Sequence, residues 1–427
     1  MALALFLCAV LSKSITVTLP VILLILDIYP LRRLGGNNGW WSETARMVYW
    51  EKLPFAVLSA VASAVAFIAL AQVENTASLD SLGVLDRLAI SAYSLWFYFW
   101  KMLAPFKLLP LYEMPSVVKL SNLSFMLSYV FVILATALGL VLRRRVPGVG
   151  AVAMAYLVTL LPVLGIFQNG PQIVADRYSY LSCMGWAVLA GGVLLYFLNG
   201  AAQKRRALTA SATAMIITSI LATLTWQQAA IWLNTGTLWN HVLKFDPKSS
   251  FAHYNLARFL AKQGEQAEAI AHYREALAIR PDDPDTHNNL GLLLAVRGDV
   301  EESLEEFQRA VQINPNYAKG FFNLGRVYSR QGELEKAVEN YRQALNLNPN
   351  EAEIYFGLGN VLARLGQLEE ASAHFQKAVE INPDVADAHM ALARALAAQG
   401  KKEVAERHYQ EALRLLQSQN KNPAKNK

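Results

Sequence analysis

The chain has 427 residues, 54% hydrophobic and only 17% charged, with a formal net charge of +6; disorder over most of its length is excluded, and so is a single ordinary soluble domain. Of the 39 Lys+Arg and 33 Asp+Glu, 17 and 9 fall up to Asp246, leaving 22 and 24 from Pro247 onward, so the basic excess belongs to the apolar first half. Cations flanking apolar segments obey the positive-inside rule, and the second half has no single-sign block able to track phosphates, so no nucleic-acid partner is expected.

A helix needs about 20 apolar residues to cross about 30 Å of hydrocarbon. The first candidate, Ala2 to Tyr29, is interrupted by Lys13 and carries Pro20. A lysine at mid-membrane depth is costly, so two short segments are expected to meet at Lys13-Ser14. Met1 opens into an apolar run with no basic region and no small-residue cleavage pattern, which argues against a signal peptide. A start within a longer parent protein is preferred to a plain N-terminal anchor. Asp27, near the end of its span, is expected to pair with Arg32 or Arg33.

Five further runs qualify as spans: Pro54 to Val73, Ser124 to Leu142, Gly148 to Phe167, Tyr180 to Leu198 and Ala207 to Trp226. Val84 to Leu109 is different, because it carries Arg87, Lys101, Pro105 and Lys107 among Tyr93, Trp96, Tyr98 and Trp100, an interfacial composition. The clusters Arg32-Arg33, Arg143-Arg144-Arg145 and Lys204-Arg205-Arg206 share one side, the cytoplasmic one, only if 84–109 lies on the outer interface without crossing. The expectation is a transmembrane domain over 1–235 with about seven spans and this interfacial helix, in the plasma (inner) membrane, delivering the second half to the outside. Cys8 and Cys183 sit in apolar runs far apart, and no metal-ligand spacing is present.

The second half repeats. Prolines 247, 281, 315, 349 and 383 recur every 34 residues. In register with them run the small residues Ala257, Gly291, Gly325, Gly359 and Ala393, each preceded by a leucine, and the glycines 264, 298, 332, 366 and 400 that cap the first helix of each unit. Second helices carry Tyr273, Phe307, Tyr341, Phe375 and Tyr409, each followed three residues later by alanine on the same face. A period of 34 with these determinants is identified as the tetratricopeptide repeat. Five repeats are expected over 248–416, preceded by a degenerate half repeat at 236–247 with Trp239 in the aromatic position, and followed by a disordered tail at 417–427. The fold class is all-α: a polytopic transmembrane helix bundle followed by an α-solenoid.

Stacked helical hairpins expose their inner helices on a concave groove. The residues expected there are Phe251, Tyr254, Arg258 and Lys262; Asn288; Lys319, Phe322, Arg326 and Arg330; Phe356, Asn360 and Arg364; then Met390 and Arg394. Arginine beside an aromatic suits an extended protein or peptide ligand of acidic or backbone-rich character. Asn255, Asn289 and Asn323 share one repeat position and could form a ladder that holds a peptide backbone, or could only satisfy neighbouring helix ends. His253, His287 and His389 are also in register, but sit at least one repeat apart, which favours packing over metal binding.

Four stretches carry a wider resemblance: VLSKSITVTLPVILLILDIYPLRR (Val10 to Arg33), FYFWKMLAPFKLLPLY (Phe97 to Tyr112), LPVLGIFQNGPQIVADRYSYL (Leu161 to Leu181) and LTWQQAAIWLNTGTLWNHVLKFDP (Leu224 to Pro247). Together with the repeats, they make the whole chain resemble the transmembrane-and-tetratricopeptide-repeat protein O-mannosyltransferases, part of the GT-C glycosyltransferase superfamily. The resemblance implies a multi-spanning membrane enzyme that moves a sugar from a polyprenyl-phosphate carrier to a protein acceptor outside the cytoplasm, the repeats binding the acceptor. It implies a catalytic carboxylate in a first outer loop, upstream of this chain, and no other cofactor. Lys13 and Arg177 would hold the lipid phosphate, with Asp176 as the partner of Arg177; a structural ion pair is the alternative for those two. The sequence departs from the family's pattern at Ser14, where a glutamate is usual, and at Ser182, where a proline is expected. The alternative function is a non-catalytic membrane-anchored scaffold with a peptide-binding groove.

Overall fold

The computed structural model describes residues 1–12, 14–35, 39–72, 83–113, 122–142, 145–164, 172–175, 179–199 and 204–421. They fall in two compact units, Met1–Asn234 and Thr235–Lys427.

The first unit is built of α1 (Ala2–Ser12), α2 (Leu19–Ile28), α3 (Glu43–Gln72), α4 (Val84–Leu103), α5 (Leu123–Leu142), α6 (Pro147–Leu160), α7 (Ser179–Asn199) and α8 (Lys204–Ile231). Two short strands, β1 (Tyr112–Glu113) and β2 (Gln172–Val174), pair antiparallel. Among the described residues, three stretches are long and apolar enough to cross a membrane: Glu43–Ala69, Leu123–Leu142 and Ser211–Ile231. No more than 11% of the most apolar window of each is buried. Leucines, isoleucines and valines displayed on that scale are unfavourable in water and at home in lipid, while the helical backbone satisfies its own hydrogen bonds there. Shorter apolar helical stretches lie at Ala2–Leu11, Thr16–Ile28, Pro147–Val163 and Ser182–Leu194.

α3 begins at Glu43, well ahead of the expected span start at Pro54, and carries that proline in its interior. Proline removes one helical hydrogen bond but does not end a helix whose flanking turns continue. Small residues let the helices approach. A Cβ added to Gly148 of α6 would lie 3.2 Å from the Tyr29 ring, and one on Gly185 of α7 would lie 3.3 Å from Val152.

Asp27 is buried at 1% exposure and makes ion pairs with Arg33 Nη1 and Lys52 Nζ, both at 3.1 Å, and Arg33 also pairs with Glu51 at 2.7 Å. The pairing with Arg33 was expected; Lys52 comes from α3, so the network ties α2 to α3 as well as to its own loop. A buried carboxylate survives at a membrane helix end because it is paired.

α4 buries Ala89, Ile90, Phe97 and Tyr98 against Phe125, Tyr156 and Leu160. Tyr156 Oη donates to the Leu95 carbonyl at 3.0 Å, and the Ala175 backbone N–H donates to Tyr98 Oη at 3.2 Å. Lys101, expected as an interfacial cation, donates to the carbonyls of Phe106 and Lys107 at 2.6 and 3.0 Å, and lies about 5.5 Å from the rings of Phe97 and Tyr112. It clamps the turn that follows α4.

The second unit opens with α9 (Thr235–Phe245) and continues as five helical hairpins: α10 (Ser250–Gln263) with α11 (Gln266–Ile279), α12 (Pro284–Arg297) with α13 (Val300–Ile313), α14 (Ala318–Gln331) with α15 (Leu334–Leu347), α16 (Ala352–Arg364) with α17 (Leu368–Ile381), and α18 (Ala386–Ala398) with α19 (Lys402–Lys421). Gly264, Gly298 and Gly332 have φ of +87°, +101° and +85°, the left-handed conformation that lets each first helix reverse into the second. Tyr273, Phe307, Tyr341 and Phe375 are at most 3% exposed. Each packs on the small residue of its own first helix so closely that a Cβ on Gly359 would sit 2.7 Å from Phe375. α9 covers the open side of α10: Trp239 is buried with its ring 5.5 Å from Phe251, and Gly236 lies against Phe259.

The helix α19 runs to Lys421, past Gln417, where a disordered tail was expected. Gln417 to Lys421 contains no glycine or proline, and buried Leu415 anchors the preceding turn. Tyr409, the last of the aromatic series, is 41% exposed, and among the described residues no further first helix packs on it.

This difference is measurable. Phe375→Ala should destabilise the array by about 3 to 5 kcal/mol, whereas Tyr409→Ala should cost clearly less. Thermal unfolding of the detergent-solubilised chain, read by helical circular dichroism, would show the two losses; equal losses would contradict the packing described.

Candidate functional site

The inner helices α10, α12, α14, α16 and α18 present residues at i, i+3, i+7 and i+11 along one face. In the first and third repeats the groove carries an aromatic followed one turn later by an arginine. The guanidinium of Arg258 stands 5.6 Å from the centre of the Tyr254 ring, and that of Arg326 stands 5.7 Å from Phe322. A cation over a ring is attracted by its face; Arg326 Nη1 also reaches Asn323 Oδ1 at 3.5 Å, and the remaining guanidinium N–H groups can donate to a ligand.

Between these two couples lies a cavity of about 560 Å³, bordered by both of them and by Asn288, Leu292, Lys319 and Asn323. Asn289 borders it as well, and Asp285, Tyr317, Asn348, Glu351 and Glu353 stand on the side where the inner helices begin. Tyr317 Oη donates to Asp285 at 2.7 Å. Burial raises the Tyr254 hydroxyl above the ordinary tyrosine range, and burial followed by its bond to Asp285 raises Tyr317 further, so both stay neutral phenols.

The three asparagines that share a repeat position do not bond to one another. Asn255 Nδ2 donates to the Phe251 carbonyl of its own helix at 2.8 Å, Asn289 Nδ2 to Tyr254 Oη at 3.2 Å, and Asn323 Nδ2 to Asn288 Oδ1 at 2.7 Å. Each reaches back toward the N-terminal side of the array, fastening adjacent inner helices where a partner exists. Arg364 is similarly engaged, donating to the Ser329 carbonyl at 2.6 Å. Lys262, Arg330 and Arg394 are exposed, and Phe356 and Asn360 are half-buried. Leu292, Tyr317, Asp285 and Glu353 were not singled out from the sequence; Asp285, Lys319 and Glu353 share a repeat position at the start of their helices, the one signal that could have found them. Lys13, Asp176 and Arg177 lie outside the described residues.

The in-register histidines join the two helices of the first, second and fifth hairpins. His253 Nε2 meets the Pro247 carbonyl at 3.2 Å and its Nδ1 meets His272 Nδ1 at 2.9 Å; His389 repeats this with Pro383 and His408, both at 3.1 Å. In the second repeat His287 meets Pro281 and Glu306, at 2.9 and 2.6 Å. These are hairpin-packing contacts, and among the described residues no group of three His, Cys, Asp or Glu side chains could hold a metal.

Desolvation and then the facing histidine lower the pKa of His272 and of His408, and desolvation lowers that of His374. Such groups stabilise the fold above the ordinary histidine range and lose that contribution as pH falls. His287 goes the other way: desolvation pulls it down, but Glu306 and the Pro281 carbonyl together raise it, so its contribution fades as pH rises. Three against one, acidification from neutral pH should loosen the array, with faster amide exchange in α10, α11, α18 and α19 than in α12 and α13. His272→Asn with His408→Asn should flatten that dependence; a dependence left unchanged would assign it elsewhere.

A groove on stacked 34-residue hairpins, in a chain with apolar helices fit for a bilayer, defines a predominantly helical membrane protein with a tetratricopeptide-repeat array. Profiles of the TPR repeat match residues 257–296, 293–332 and 325–366, and the tetratricopeptide repeat matches residues 238–271 and 350–418. The chain is similar to protein O-mannosyl-transferase TMTC1 of Mus musculus, 28% identical over 222 residues (49% of this chain, 23% of that protein). It is likewise similar to TMTC1 of Homo sapiens, 29% identical over 211 residues (46% and 23%), and to protein O-mannosyl-transferase TMTC4 of Mus musculus, 28% identical over 137 residues (31% and 17%). The match spans less than a quarter of the length of these relatives. Solved structures similar to the chain include MamA (22% identical, 39% of this chain and 97% of that one, TM-score 0.37) and YrrB, described as a TPR protein with an unusual peptide-binding site (24%, 42% and 91%, TM-score 0.37).

Proposed function

We propose that this chain forms membrane helices and the acceptor-binding repeats of a glycosyltransferase of the protein O-mannosyltransferase kind. The observation that carries the reading is similarity to O-mannosyl-transferases over about half the chain, combined with a groove of ring-stacked arginines suited to polypeptide. In this reading the protein is multi-pass in the plasma (inner) membrane, takes a sugar from a polyprenyl-phosphate donor, and holds the acceptor polypeptide in the groove on the outer side. Lys13 and Arg177 hold the lipid phosphate, with Asp176 orienting Arg177. Such a transfer needs a carboxylate to deprotonate the acceptor hydroxyl as the phosphate departs, and cations to stabilise the charge on the leaving group.

Membranes containing the protein expressed from its complete reading frame should transfer radiolabelled mannose from a polyprenyl-phosphate donor to a Ser/Thr-bearing polypeptide. Arg177→Ala should reduce transfer by about a hundredfold while leaving polypeptide binding intact. Retained binding with no transfer by the unaltered protein would instead support the membrane-anchored scaffold. For orientation, protease added to intact spheroplasts should remove the repeats and spare the spans; full protection would refute an outer array.

A further inference from the structure

At the groove position where the first, third, fourth and fifth repeats carry Tyr254, Phe322, Phe356 and Met390, the second repeat carries Asn288. One turn later, where its neighbours carry Arg258 and Arg326, it has Leu292. A small polar side chain in place of a large apolar one leaves space, and the cavity of about 560 Å³ lies at that gap. Its wall holds more than empty volume. Asn288 is 4% exposed, and its Oδ1 accepts from Asn323 Nδ2 at 2.7 Å, so the amide end left over is a donor. Arg258, Lys319 and Arg326 border the same cavity. None of the three makes an ion pair among the described residues, and two of them are held over aromatic rings.

On this side of the cavity the acceptor is Asn323 Oδ1, which Arg326 Nη1 reaches at 3.5 Å, so donors outnumber acceptors. Of the acidic groups on the cavity's other side, Asp285 already accepts from Tyr317, and Glu351 and Glu353 stand at the N-terminus of α16, where the helix dipole favours them. Three cations and three acids around one cavity give little net field, so a polyanion gains nothing from this surface. A single carboxylate placed among the guanidiniums and the Asn288 amide gains charge-assisted hydrogen bonds at contact range.

We propose that the gap left by Asn288 is a specificity pocket that takes one acidic side chain, aspartate or glutamate, from within an extended polypeptide lying in the groove. This rests on the reading of the groove as a polypeptide site and adds which side chain it selects.

The test uses the whole chain in detergent micelles. Two fluorescent Gly/Ser/Thr-rich peptides, blocked at both ends, differ only in a central Glu or Gln. The Glu peptide should bind about tenfold more tightly, with the advantage shrinking as salt is added. Arg258→Gln with Arg326→Gln, both exposed side chains, should bring the Glu and Gln peptides to equal affinity, whatever the change in their common affinity. Asn288→Phe, which restores the aromatic of the neighbouring repeats, should erase it as well. Equal binding of the two peptides to the unaltered chain would overturn the pocket but leave the groove reading standing. A preference that requires an unblocked C-terminus would also overturn it, by assigning the cations to a terminal carboxylate. If neither peptide binds, both readings fall.

Discussion

The array depends on one contact, repeated along it: an aromatic ring of each second helix seated on a residue of the first helix that has almost no side chain. A Cβ at Gly291, Gly325 or Gly359 would come within 3 Å of Phe307, Tyr341 or Phe375. The ring therefore sets the distance between the two helices of a hairpin, and interiors packed this tightly do not deform gradually. Because the contact recurs every 34 residues, residues one repeat apart come to face a common groove. Phe322 and Phe356 in the groove pack tilted against Tyr341 and Phe375 of the packing series, with ring centroids 5.9 Å apart, so the groove is rooted in the same rings that fix the hairpins.

The first unit is organised by the opposite means. Its longest helices bury little of their apolar surface, and hydrophobic burial against water cannot order them in lipid, so polar contacts define local structure. The Asp27 ion pairs join α2 to α3, Lys101 closes the turn after α4, and the tyrosine hydroxyls of residues 98 and 156 tie α4 to its surroundings. Polar contacts of this kind supplement the aromatic cluster of α4 with Phe125, Tyr156 and Leu160.

The repeats could be read from the sequence because their determinants are local and translational: a proline, a glycine cap, a small residue and a ring, all at fixed spacing. Period alone also placed Tyr254, Arg258, Phe322 and Arg326 on one face. It could not say which neighbour an amide would reach. Asn255, Asn289 and Asn323 look equivalent in sequence, yet one bonds its own helix, one a phenol and one a second asparagine, because the residue opposite differs each time. The gap at Asn288 was visible as a break in a column of aromatics, but its meaning required knowing that space opens there. In the membrane half, hydropathy located the apolar runs, while the start of α3 ahead of Pro54 and the role of Lys52 depend on contacts between helices that no periodicity encodes.

The balance of charge along the groove bears on how it can discriminate. Opposite charges face one another across the same cavity, and at physiological salt such fields fade within about 8 Å. A ligand approaching from solution is steered weakly, and selectivity has to be exerted after contact, by hydrogen-bond geometry rather than by long-range attraction. The stacked guanidiniums suit that regime, since their rings fix them before a ligand arrives and little rotamer freedom remains to be lost on binding. Under the proposed reading, such a groove admits many polypeptides to its surface and distinguishes among them at Asn288, where the column of large side chains is interrupted.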